Sequence, residues 1–130
     1  MSNLIELIQR NEFLKNIFPD GVGDSIFFGQ MAFDVGGKVS IGIHTKHPPK
    51  IEVKKWGVWG VDYNVVVINL VGKVAEYCLM KNYQKFDYAK TIFEQSGDSI
   101  FISQLGNGFD LQLVVEYLIF QNCTTYIESA

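Results

Sequence analysis

Ser25-Ile26-Phe27-Phe28-Gly29-Gln30-Met31-Ala32-Phe33-Asp34-Val35, then Gly36-Gly37, then Lys38-Val39-Ser40-Ile41-Gly42-Ile43-His44-Thr45, is the stretch that decides the fold. The Gly36-Gly37 pair tolerates the positive φ that a tight hairpin turn demands. After it, Val39, Ile41 and Ile43 alternate with Ser40, Gly42 and His44. A period of two marks a strand with one buried and one wet face, which places His44 on the wet side.

Working outward, the same signature recurs. Val61-Asp62-Tyr63-Asn64-Val65-Val66-Val67-Ile68-Asn69-Leu70-Val71 is the strongest strand, its β-branched run suited to a position covered on both faces. Ser99–Leu105 and Phe109–Phe120 flank the turn Gly106-Asn107-Gly108, and 123–128 continues that strand or pairs at an edge. Residues 73–95 suit either a strand or a short helix and are read as strand, and 51–56 as a short strand after the Pro48-Pro49 loop. The one helical pattern is 3–17. Leu4, Ile5, Leu7, Ile8, Phe13, Leu14 and Ile17 keep near-helical spacing, with Ser2 as a cap, a possible break at Asn11 and a stop at Phe18-Pro19-Asp20-Gly21. Gly23-Asp24-Ser25-Ile26-Phe27 is echoed by Gly97-Asp98-Ser99-Ile100-Phe101, which reads as shared chemistry for starting a strand rather than as a repeat architecture. These elements predict one α+β domain over 1–130: an N-terminal helix packed on a curved, mainly antiparallel sheet of six to eight strands.

Composition narrows the function classes. With 48% hydrophobic and 19% charged residues the chain can bury a substantial core. It carries a net charge of −3 and a single arginine, Arg10, which disfavours nucleic acid as a partner. Lys46, Lys50, Lys54 and Lys55 cluster around Glu52, so the rest of the chain is more acidic still and suits a basic partner. The first residues lack the basic and apolar regions of a signal peptide, and no apolar run is long enough to span a membrane. A cytoplasmic protein with two buried, unpaired thiols, Cys78 and Cys123, is expected.

No residue set carries catalysis or a cofactor. His44 and His47 have the H-x-x-H spacing, but at a strand end they diverge and read as exposed loop histidines rather than metal ligands. Asp24, Asp34, Asp98 and Asp110 sit at turns, where carboxylates serve the backbone, and no serine has a nucleophile-elbow setting. The Gly-x-Gly fragments at 21–23 and 106–108 do not join a strand to a helix as a phosphate loop would. The most distinctive segment is Trp56-Gly57-Val58-Trp59-Gly60. One tryptophan can anchor the core while the other reaches the surface as a binding hot spot. Trp56, Trp59, Asp62, Asp24 and Asp98 are therefore the expected partner-binding residues.

The helix leading into Phe18-Pro19-Asp20, the Asp24-led hairpin, the Trp-Gly segment, the Tyr63–Ile68 strand and the hairpin across Gly106-Asn107-Gly108 together resemble a known class. It is that of the small immunity proteins encoded beside bacterial polymorphic or contact-dependent growth inhibition toxins. The resemblance covers most of the chain and implies a non-enzymatic cytoplasmic protein that binds one cognate toxin, often a nuclease with a basic surface. It transfers no binding residue. The competing expectations are a β-rich carrier of a small apolar ligand, motivated by ten phenylalanines, and a homo-oligomeric structural protein pairing through an exposed edge at 109–120.

Overall fold

The computed structural model describes residues 3–129. Six antiparallel strands form it: β1 (Ser25–Phe33), β2 (Lys38–Thr45), β3 (Val65–Lys81), β4 (Ala89–Ser96), β5 (Ser99–Leu105) and β6 (Asp110–Tyr126). Their order is β1-β2-β3-β6-β5-β4, and β4 returns to β1 to close a barrel. The sheet expected to be curved is curved enough to meet itself, and the ambiguous 73–95 region is strand at both ends. The architecture is two three-stranded meanders, β1-β2-β3 and β4-β5-β6, joined along two seams. The Gly-Asp-Ser-Ile-Phe echo does not follow this duplication, because its copies start β1 and β5, which are not equivalent strands.

Two strands of seventeen residues each, β3 and β6, make the longer seam. Their partners run from Val65↔Tyr126 to Lys81↔Asp110, with register shifts at Asn69/Leu70, Gly72/Val74 and Val74/Cys78. Those irregularities bend both strands; β2 pairs with the first half of β3 and β5 with the first half of β6. A Cβ on Gly72 would press on the Tyr117 carbonyl 2.7 Å away, so the bend requires that glycine. The exposed edge expected at 109–120 is corrected: β6 pairs with β3 along its length, and its other side is taken by β5 at Asp110–Val115 and by Gln9 at Leu118 and Phe120.

The other seam is short. β1 meets β4 only at Ser25↔Lys90 and Ile26↔Ala89. A fully buried side chain reinforces it. Gln104 Nε2 on β5 donates to Ile26 O (2.8 Å), Ala89 O (3.1 Å) and Thr91 Oγ1 (2.9 Å), while its Oε1 has no partner.

Alternate residues point inward, as the period-two pattern predicted. Ile26, Phe28, Ile41, Ile43, Ile68, Leu70, Ile102, Leu111 and Leu113 are buried and fill the barrel. The N-terminal segment adds Leu4, Ile5, Ile8, Leu14 and Ile17 to the same core. It is less helical than expected: a 3₁₀ turn at Leu4–Leu7, then an α-helix, α1, only at Glu12–Ile17. Between them Arg10 adopts φ 60°, which a continuous helix forbids, and Gln9 pairs with β6 instead, donating to Leu118 O (2.8 Å) and accepting from Phe120 N (3.0 Å). The expected Ser2 cap lies outside the described residues; Asn3 Oδ1 accepts from Ile5 N (3.0 Å) and caps the first turn.

Three further expectations are corrected. Residues 51–56 are not a strand; Lys54–Trp56 form a 3₁₀ turn and the chain reaches β3 only at Val65. Cys78 and Cys123 are unpaired, as expected, but half-buried rather than buried. His44 is not on a wet face; it is 5% exposed.

Candidate functional site

The five residues singled out from the sequence fall in three places. Trp56, at 9% exposure, belongs to the core, its ring edge-on to Phe13 and Tyr63. Trp59 is half-buried and also edge-on to Tyr63. Asp62 is exposed, and its Oδ2 accepts from Val58 N (2.7 Å), closing the loop that carries both tryptophans. Asp24 is exposed just before β1, its carbonyl accepting from Thr91 N (2.7 Å). Asp98 is exposed in the β4–β5 turn. Since Asp24 sits beside Thr91 and Asp98 lies beyond the far end of β4, roughly 20 Å of strand separates them. The structure thus unites Trp56, Trp59 and Asp62 on one loop and leaves the two other aspartates apart.

A further concavity lies elsewhere. A groove of about 690 Å³ is lined on one side by Phe27, Phe28, Gly29, Gln30, Met31 and Ala32, and on the other by Met80, Tyr83, Gln84 and Phe86. Six consecutive residues of one strand can line a groove only if it runs along the strand's edge, since a groove on either face would meet every second residue. That edge exists because the β1–β4 seam stops at Ile26, and among the described residues no backbone partner takes it over from Phe27 to Phe33. The opposite wall is the end of β3 and its connection to β4, where Asn82 in the left-handed region (φ 57°) turns the chain into the short Tyr83–Lys85 helix. Asn82 Nδ2 donates to Gly108 O (2.9 Å) and fixes that wall to the β5–β6 turn. Tyr83 is 71% exposed at its lip.

One end of this groove rests on a polar cluster on the outside of the barrel. His44 Nε2 lies 2.8 Å from Gln30 Oε1, and His44 Nδ1 lies 2.8 Å from the Tyr126 hydroxyl. An amide oxygen only accepts, so Nε2 carries the proton and Nδ1 accepts from Tyr126. Phe27, 5.0 Å away between ring centroids, covers the imidazole, and Tyr88 packs on Phe27 in turn. Room for this arrangement comes from two glycines: a Cβ at Gly29 would collide with His44, and one at Gly42 with Gln30. Burial pushes the His44 pKa down, only partly opposed by the Glu128 carboxylate, so the ring is neutral at pH 7. Burial raises the Tyr126 and Tyr88 hydroxyls. Lys46 sits 4.5 Å over the Tyr88 ring and 3.4 Å from Glu128.

Both nitrogens of His44 are occupied and its ring is covered, so the cluster ties Gln30 on β1 to the C-terminal end of β6. His47 is exposed, against Phe18, and no group of three or more metal-ligating side chains occurs among the described residues. No helix among them is long and apolar enough to cross a membrane. The groove itself offers apolar surface and unpaired backbone, which is the chemistry of binding a polypeptide.

Met80, Tyr83 and Phe86 were not among the expected binding residues because they lie in the stretch whose structure was ambiguous. The available signal was one of bookkeeping: β1 is uniformly apolar at Phe27-Phe28 and Met31, yet only one neighbouring strand was identified for it. No family model, no curated protein and no solved structure matches this chain.

Proposed function

We propose that this chain is a non-enzymatic protein-binding module, and that its most specific form is an immunity protein which neutralises a cognate bacterial toxin in the cytoplasm. The observation that carries the reading is the apolar groove along the unpaired edge of β1, backed by a filled barrel interior. The acidic net charge of −3 favours a basic toxin and faster encounter at low salt. The resemblance to toxin-neutralising proteins supplies the biological setting. The alternative of a carrier for a small apolar ligand is weaker, since the side chains that fill the barrel occupy the place such a ligand takes in larger barrels.

The test is genetic and biochemical. The gene neighbouring this one is expressed alone, then together with it, and the two products are purified. Growth arrest by the neighbour, relief on co-expression and a 1:1 complex whose association slows as salt rises would support the reading. A neighbour that is harmless, or toxicity unrelieved by a well-folded partner, would sink the toxin-neutralising form.

A further inference from the structure

We infer that the groove takes one extended segment of the partner, which adds to β1 as a further strand through backbone hydrogen bonds. This rests on the protein-binding reading and specifies its mode. The phase of the edge follows from one hydrogen bond. Asp34 N donates to Lys38 O (2.8 Å), so position 34 is paired toward β2. With Phe33↔Val39, Ala32↔Ser40, Met31↔Ile41 and Gln30↔Gly42 in unbroken register, the alternation of an antiparallel ladder turns Ala32 and Gln30 toward β2. Met31 and Phe33 therefore direct their N–H and C=O groups away from β2, Met31 into the groove and Phe33 just past its end, and nothing else among the described residues receives them.

The occupant is a single extended segment and not a second copy of this folded chain. The groove has two walls, and the one facing β1 is formed by Met80 at the end of β3 and by Tyr83, Gln84 and Phe86 of the connection to β4. A folded copy presenting its own β1 would bring its own β2 alongside, against that second wall. Area points the same way. An edge six residues long and one strand wide offers roughly 100 Å², against the roughly 800 Å² per partner that a stable dimer of folded domains buries. A short strand needs less, because main-chain bonds supply its affinity and pockets for alternate side chains supply its selectivity. Here Phe28, Met31, Met80 and Phe86 line the floor and far wall, and the two thioethers adapt to apolar side chains of differing shape. The segment it fits has apolar residues at every second position.

The probe is a displayed library of random seven-residue peptides, panned on the full chain. Enriched peptides are synthesised in two N-methylated forms, one blocking the amides in phase with Met31 and Phe33 and one blocking the alternate amides. The expected result is enrichment of period-two apolar peptides whose affinity falls about tenfold or more with the in-phase set and changes less than about twofold with the other. The variant Met31→Pro removes one outward amide while sparing the ladder to β2, as edge strands permit; with an unchanged circular dichroism spectrum it loses binding by the same factor. The peptide comparison needs no altered protein, so it decides the matter even where that variant unfolds. Absence of enriched peptides, equal losses from both methylated sets, or a dimer of this chain in which the Met31 and Phe33 amides are protected from exchange would each overturn strand addition. A toxin that binds while leaving those amides unprotected overturns it too, yet leaves the protein-binding reading standing. Peptide binding without any cognate toxin does the reverse.

Discussion

The two seams of the barrel could hardly differ more. Between β3 and β6 the ladder runs the length of two seventeen-residue strands, with Leu70, Leu113, Val115 and Leu118 buried behind it. Between β1 and β4 two residue pairs and one glutamine side chain complete the closure. The long seam holds the two meanders together. The short one stops early, and its unfinished half is the groove. A protein that needs an exposed backbone edge for binding can place it where few of its own contacts are lost, and the low-stability end of a structure is where binding surfaces are drawn from.

That contrast can be broken experimentally. The largest effect is expected at the long seam: Leu113→Ala should cost about 3–4 kcal/mol in denaturant unfolding, through lost transfer free energy and a cavity between well-ordered strands. A loss below about 1 kcal/mol would mean the seam is looser than its ladder suggests. Next comes the staple. Gln104→Ala should cost about 2–3 kcal/mol, because it uncovers hydrogen-bonding groups on both sides of the short seam. Its sharper signature is local: amide exchange should accelerate around Ser25 and Lys90 while staying globally limited at Leu70 and Leu118. Uniform acceleration would show that the two seams open together.

A smaller effect comes from His44. Its folded pKa is lowered by burial from the ordinary 6.5, so the neutral form is favoured in the native state. The unfolded chain then binds more protons below that value. Stability is fully present above about pH 6.5 and declines as pH falls below it toward the folded pKa, by an amount that His44→Gln should abolish. Chemical denaturation between pH 7.5 and 5 measures it, and a His44-dependent rise in stability on acidification would reverse the sign argued here. Smallest for the fold, but not for binding, is Tyr83→Ser: exposed at the lip, it should change stability by less than about 0.5 kcal/mol. If the groove is the docking site, the same change weakens partner binding about tenfold.

The hairpin at 25–45 was legible because Gly36-Gly37 and the Val39-Ile41-Ile43 alternation are local signals, and the structure keeps both turn and phase. The burial of His44 was not. Alternation correctly put it on the face opposite Ile43, but that face is covered by Tyr126, eighty-two residues away, and by Phe27, which no local pattern announces. The N-terminal helix was overextended for a related reason. Apolar spacing from Leu4 to Ile17 suits a helix, yet Gln9 gains two backbone bonds to β6 by leaving it, with Arg10 in a left-handed conformation as the result. Barrel closure was equally hidden, since it rests on two residue pairs and a glutamine that sequence reads as a polar residue in a strand. The groove inherits this: its walls come from two strands whose separation, not whose sequence, creates it.

Among the described residues the connection from Asn82 to Tyr88 is the only covalent link between the two meanders, and most of it is exposed. A backbone cut there would leave two fragments, residues 1–82 and 83–130, each carrying one three-stranded meander. The β3–β6 ladder, with Gln9 reaching from the first fragment onto β6 of the second, would still clasp them together. The chain is thus a natural candidate for fragment complementation. Because Tyr83 and Phe86 belong to both the cleavable link and the groove wall, an occupied groove should shield that link from proteases, so that a simple digestion ladder reports whether a partner is seated.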